Sequence, residues 1–61
     1  MSRYNVNDRV VIVKNNDRNN GQHGSIRNIS NLSYSPVTIY DVVFDDGSKG
    51  YYFFSELTHE N

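Results

Sequence analysis

Apolar positions in this chain recur at every second residue in short runs. "RVVIVK", Arg9 to Lys14, sets Val10 and Ile12 on one face and Val11 and Val13 on the other, and "VTIYDVVF", Val37 to Phe44, brings Tyr40, Val42 and Phe44 together. No window repeats apolar residues at i, i+3, i+4 and i+7, and clusters of Asn, Gly, Asp and Ser separate the runs, so the pattern predicts an all-β chain. Five strands are expected: Arg9 to Lys14, Ser25 to Ser30, Val37 to Phe44, Lys49 to Phe53 and Leu57 to His59. "FSEL" is short enough for a single 3-10 turn before the last of them. Ile26 and Ile29 are three apart, which breaks alternation and predicts a bend or bulge in the second strand. The segments 15–24 and 30–36 read as polar loops, the second closed by Pro36, which cannot donate a ladder hydrogen bond. Leu32 and Tyr34 are the apolar members of that loop, placed either to plug one end of the fold or to project as contacts.

"VVFDDGSKGYYFF", 42 to 54, ends in four consecutive aromatics, and a strand cannot turn all four to one face. Paired residues of a hairpin share a face, so the loop length decides which rings join Tyr40, Val42 and Phe44. A two-residue loop, Asp46-Gly47, pairs Phe44 with Lys49 and turns Tyr51 and Phe53 inward. A three-residue loop, Asp45-Asp46-Gly47, needs a left-handed third residue, which Gly supplies without steric cost. It pairs Phe44 with Ser48 and Tyr40 with Tyr52, brings Phe54 inward, and leaves Lys49, Tyr51 and Phe53 outside with Ile39, Asp41 and Val43. The second register is preferred because it keeps Lys49 off the core face.

A chain of 61 residues is one small domain, expected to bury about 60% of the surface its unfolded form exposes. Without cysteine, and with two isolated histidines, it has neither a disulfide framework nor zinc-finger spacing. No apolar signal stretch opens the sequence, and the longest apolar run, "VVIV", is too short to cross a bilayer, so a soluble, cytoplasmic protein with no membrane contact is expected. The formal net charge is -1, which disfavours binding that rests mainly on phosphate neutralisation. The charge is lopsided, however: Arg3, Arg9, Lys14, Arg18 and Arg27 lie in the first half against Asp8 and Asp17, while Lys49 stands alone in the second against five carboxylates.

Catalytic groupings are missing from the pattern. No nucleophile sits at a suggestive distance from a base, and "GQHGS" lacks the lysine and the helix of a phosphate-binding loop. Asp45 and Asp46 precede a turn glycine, where Asp is favoured for local hydrogen bonding, and His23 and His59 read as solvent-exposed. Neither an enzyme nor a cofactor or metal is therefore expected.

The stretch "NDRVVIVKNNDRNNGQHGSIRNIS" resembles the KOW motif of ribosomal proteins and bacterial transcription elongation factors. Asn7 and Asp8 stand for its opening Gly-Asp, Val10 and Ile12 for the first hydrophobics, Gly21 and Gly24 for the loop glycines, and Ile26 and Ile29 for the last pair. Asn7 replaces a glycine, and asparagine shares some of glycine's tolerance of left-handed backbone. "YDVVFDDG" and the later Glu56-Leu57 are similar to other SH3-like barrels, among them the small stromal subunit of photosystem I, Tudor-type domains and short phage and prophage proteins. The resemblance implies a five-stranded, SH3-like (KOW-like) small barrel with one short 3-10 turn before the last strand.

Unrelated roles share that scaffold, so function is read from the surface. The leading expectation is a small non-catalytic module that binds another protein through Tyr51, Phe53, Lys49, Ile39 and Val43, with Tyr34 adding to the face; self-association through the same patch is a variant. The KOW resemblance implies the alternative, a module for RNA or for the transcription and translation machinery, with Arg9, Lys14, Arg18 and Arg27 on phosphates and Tyr51 or Phe53 stacked on a base. A third reading is a Tudor-like cage for a methylated cation, built from rings among Tyr40, Tyr51, Tyr52 and Phe53.

Overall fold

The alternating runs pair into one antiparallel sheet in a computed structural model that describes residues 4–31 and 37–60. Its strands are β1 (Arg9–Ile12), β2 (His23–Asn31), β3 (Thr38–Phe44), β4 (Lys49–Phe53) and β5 (Leu57–His59), with a 3-10 turn over Phe54–Glu56. The spatial order is β4-β3-β2-β1-β5, which leaves β4 and β5 as the two edges of a sheet that does not close. Strands β4 and β5 and the 3-10 turn fall where the alternation puts them. β1 is shorter than the sequence suggests, because the Val13 N–H turns to the Glu56 carbonyl and the Lys14 N–H to the Asn20 side chain. β2 is longer and begins at His23, which is thereby a strand residue rather than a loop residue.

Val10, Ile12, Ile26, Tyr40, Val42, Phe44, Tyr52 and Leu57 form the core, with Ile29 packed against it. The register of β2 on β3 shifts between Ile26 and Asn28, so a bulge lets Ile26 and Ile29 both serve the core despite their odd spacing. Tyr4 is a core residue that alternation does not reveal. Its hydroxyl donates to the Leu57 carbonyl at 3.0 Å, and its ring meets Tyr40 edge-on at 5.5 Å between centroids. The segment that carries it is turned onto the sheet at Asn7, whose φ is +80°, and the Asn7 N–H donates to Ile26 at 2.7 Å.

The β3–β4 hairpin adopts the three-residue loop. Gly47 has φ +92°, its N–H donates to Phe44, and the Phe44 N–H donates to Ser48 at 2.8 Å. Asp46 secures the turn by accepting from the N–H and hydroxyl of Ser48. Tyr40 therefore pairs with Tyr52, Asp41 with Tyr51 and Ile39 with Phe53. Gly50 follows from the packing above it: a Cβ there would lie 2.6 Å from Cε2 of Tyr52, whose ring lies across that position. Phe54 departs from expectation, being 47% exposed. The 3-10 turn carries it to the rim, where its ring leans on Tyr4 at 5.3 Å.

Candidate functional site

Parity in β4 divides the four rings. Tyr52 is 5% exposed and its pairing partner Tyr40 3%, whereas Tyr51 is 70% and Phe53 50% exposed. On the outer face Tyr51 and Phe53 lie beside half-buried Ile39, Asp41 and Val43, with Lys49 opposite Val43. Five of the six expected protein-binding residues thus share one face, and the sixth, Tyr34, lies outside the described residues. Rings split between opposite faces do not converge, so the cage reading from Tyr40, Tyr51, Tyr52 and Phe53 fails on geometry. Within the outer face, Oδ1 of Asp41 is buried without a hydrogen-bond partner among the described residues.

The four cations proposed for phosphate contact do not behave alike. Arg9 forms a two-bond pair with Asp45, at 2.7 and 2.9 Å, and reaches Glu60 and Ser25 as well. Its hydrogen bonds to Asp45 and then Glu60 raise its pKa further, and the Arg9 bond holds both carboxylates below their usual range. His23 joins the cluster through Nδ1 on Glu60, so it is a partnered residue. Asp45 likewise reaches across the fold rather than serving only its turn.

Lys14 pairs with Glu56 at 3.1 Å, and its ammonium stands 5.7 Å from the centroid of the Tyr52 ring. That bond to Glu56 raises the Lys14 pKa. Arg18 and Arg27 have no ion pair among the described residues, and neither has Lys49.

Tyr52 is fastened at its tip. Its hydroxyl donates to Oδ2 of Asp17 at 2.8 Å and accepts from Nδ2 of Asn19 at 3.0 Å. Burial raises its pKa, and the bond from Tyr52 lowers that of Asp17. This tie draws the 15–20 loop toward β4 and leaves a cleft of about 290 Å³ lined by Arg18, Asn19, Asp46, Ser48 and Lys49. At the other end of β4 an apolar groove of about 350 Å³ lies between Val37, Thr38, Phe53, Phe54 and Ser55. Neither hollow is legible in the sequence, because each joins residues distant along the chain.

No group of three or more His, Asp or Glu side chains among the described residues is placed to hold a metal, and no helix among them is long and apolar enough to cross a membrane. No protein family, curated protein or solved structure matches this chain.

Proposed function

We propose that the chain is a small non-catalytic binding module of the SH3-like barrel type that docks another protein through the outer face of β3 and β4. The exposure of Tyr51 and Phe53, contiguous with Ile39 and Val43, carries this reading. Grouped apolar surface on a small domain marks a contact site, and rigid rings give contact area at little entropic cost. The β2 bulge, which curls the sheet, supports the barrel. So does the tie from Tyr52 to the 15–20 loop, which with the Lys14 ammonium 5.7 Å from the Tyr52 ring links the edge strand β4 to the chain that follows β1. A protein partner is favoured over RNA because Arg9 and Lys14, half of the phosphate-binding set, are already held by carboxylates.

The test pairs capture with stability. Replacing Tyr51 and Phe53 together by Ala removes only their buried fraction, about 1–2.5 kcal/mol, so the domain stays folded while capture of its partner from native lysate is lost. Tyr40→Ala or Tyr52→Ala instead costs about 3–5 kcal/mol. Capture that survives the double substitution removes the reading. Capture abolished by nuclease, and falling steeply between low and moderate salt, replaces it with the nucleic-acid alternative.

A further inference from the structure

The free edge of β4 has a defined hydrogen-bonding pattern. Phe44 and Ser48 form a hydrogen-bonded pair, so by alternation Val42–Gly50 and Tyr40–Tyr52 are bonded pairs as well. The N–H and C=O groups of Lys49 and Tyr51 therefore point away from β3, as does the N–H of Phe53. Glu56 caps the Phe53 N–H through Oε1 at 2.8 Å. β4 pairs with no other strand, which leaves the backbone groups of Lys49 and Tyr51 without partners among the described residues.

The surroundings of this edge are polarised. At its Lys49 end the cleft presents two unpaired cations, Arg18 and Lys49, and its one carboxylate, Asp46, is turned onto Ser48. At its Phe53 end lies the apolar groove with Phe54 and Val37. We propose that β4 accepts an added antiparallel strand from a partner polypeptide, with an acidic side chain opposite Lys49 and an apolar one opposite Phe53. Residues paired across such a ladder share a face, so the partner's side chains opposite Lys49, Tyr51 and Phe53 all land on the aromatic face. The inference rests on the protein-binding reading of that face and adds the partner's conformation, direction and charge.

A second copy of this chain fits the edge less well. Antiparallel pairing of two β4 strands about Tyr51 sets the Arg18–Lys49 cleft against the apolar groove of the other copy, where the nearby carboxylate, Glu56, is already held by Lys14 and the Phe53 N–H.

An acetylated, amidated peptide Leu-Thr-Val-Thr-Glu-Thr places leucine opposite Phe53, valine opposite Tyr51 and glutamate opposite Lys49. A second peptide is N-methylated at the valine and glutamate, and a third has lysine for glutamate. In 1H–15N spectra of the intact chain the first peptide is expected to move the Lys49 and Tyr51 amide protons downfield and slow their exchange at least tenfold. N-methylation abolishes this, and the lysine peptide binds at least tenfold more weakly.

Equal binding of the N-methylated peptide overturns strand addition and leaves side-chain docking on the face. The same holds if none of the peptides binds while lysate capture still depends on Tyr51 and Phe53. Protection of the Lys49 and Tyr51 amides that grows with protein concentration, without peptide, makes a second copy the occupant and overturns the proposal. Lysate capture indifferent to Tyr51 and Phe53 removes instead the reading on which the proposal rests.

Discussion

Gly50 lies in the middle of the proposed docking strand, and the ring of Tyr52 occupies the space where any side chain at that position would begin. A Cβ on residue 50 falls 2.6 Å from Cε2 of Tyr52, 3.2 Å from its hydroxyl oxygen and 3.3 Å from Cε2 of Phe44. Ordinary carbon contacts lie at about 3.5–4.0 Å, so in Gly50→Ala the ring must retreat by roughly 1 Å. It is not free to do so, because Asp17 and Asn19 grip its hydroxyl and Phe44 meets it edge-on at 6.2 Å between centroids.

Overpacking of this kind costs about 1–3 kcal/mol, and weakening the bonds to the hydroxyl adds about 1 kcal/mol. Stiffening of the unfolded chain returns about 0.4–1 kcal/mol. The expected net loss is about 2 kcal/mol, a large share of the roughly 3–9 kcal/mol that a domain of this size possesses. Urea denaturation followed by far-UV circular dichroism measures it directly, and the thermal midpoint should fall by about 8–16 °C. A cycle with Tyr52→Phe isolates the cause, since without its hydroxyl the ring can tilt aside. Gly50→Ala should then cost at least about 0.5 kcal/mol less. A Gly50→Ala variant as stable as wild type, or a cycle with no coupling, refutes the claim that Tyr52 is pinned over Gly50.

Two further outcomes follow from the contacts of Tyr4 and Arg9. Tyr4→Phe keeps the ring contacts with Tyr40, Phe54 and His59 but strips the Leu57 carbonyl of its donor; it should lose about 1 kcal/mol in urea titration. Tyr4→Ala should lose about 3–5 kcal/mol, and a loss below 1 kcal/mol shows that Tyr4 is no part of the core. Asp45 and Glu60 have folded pKa values below their unfolded ones because they hydrogen-bond Arg9, so their contribution is complete above the unfolded values, near pH 4. It disappears as pH falls through the folded values. The difference in thermal midpoint between wild type and Arg9→Met should therefore be largest near pH 6 and shrink toward zero in acid, and a difference that stays constant down to pH 2 refutes the network's role.

What could be read in the sequence was local. The hairpin parity depended on one glycine in one turn and on the cost of turning Lys49 inward, both contained within a dozen residues, and the structure keeps that register. The bulge was legible because Ile26 and Ile29 are the wrong distance apart for a regular strand. Asn7 was legible as a residue that tolerates left-handed backbone, and it has positive φ. Tyr4 was not, since a single aromatic in a polar stretch carries no period. The same holds for Arg9, which meets carboxylates 36 and 51 residues away in sequence.

This difference in range matters for function. A list of basic residues treats Arg9, Lys14, Arg18, Arg27 and Lys49 as equivalent, whereas tertiary pairing separates cations that already hold a carboxylate from those that do not. The unpaired Arg18 and Lys49 line one cleft at the end of an open strand edge, so the charge left for a partner sits beside the aromatic face and its free backbone groups. A ligand that reads all three must present an acidic side chain, an apolar side chain and an extended backbone along one strand. A flexible polypeptide segment does so, whereas a nucleic acid offers phosphate charge and bases that stack on rings but no backbone that pairs with a strand edge.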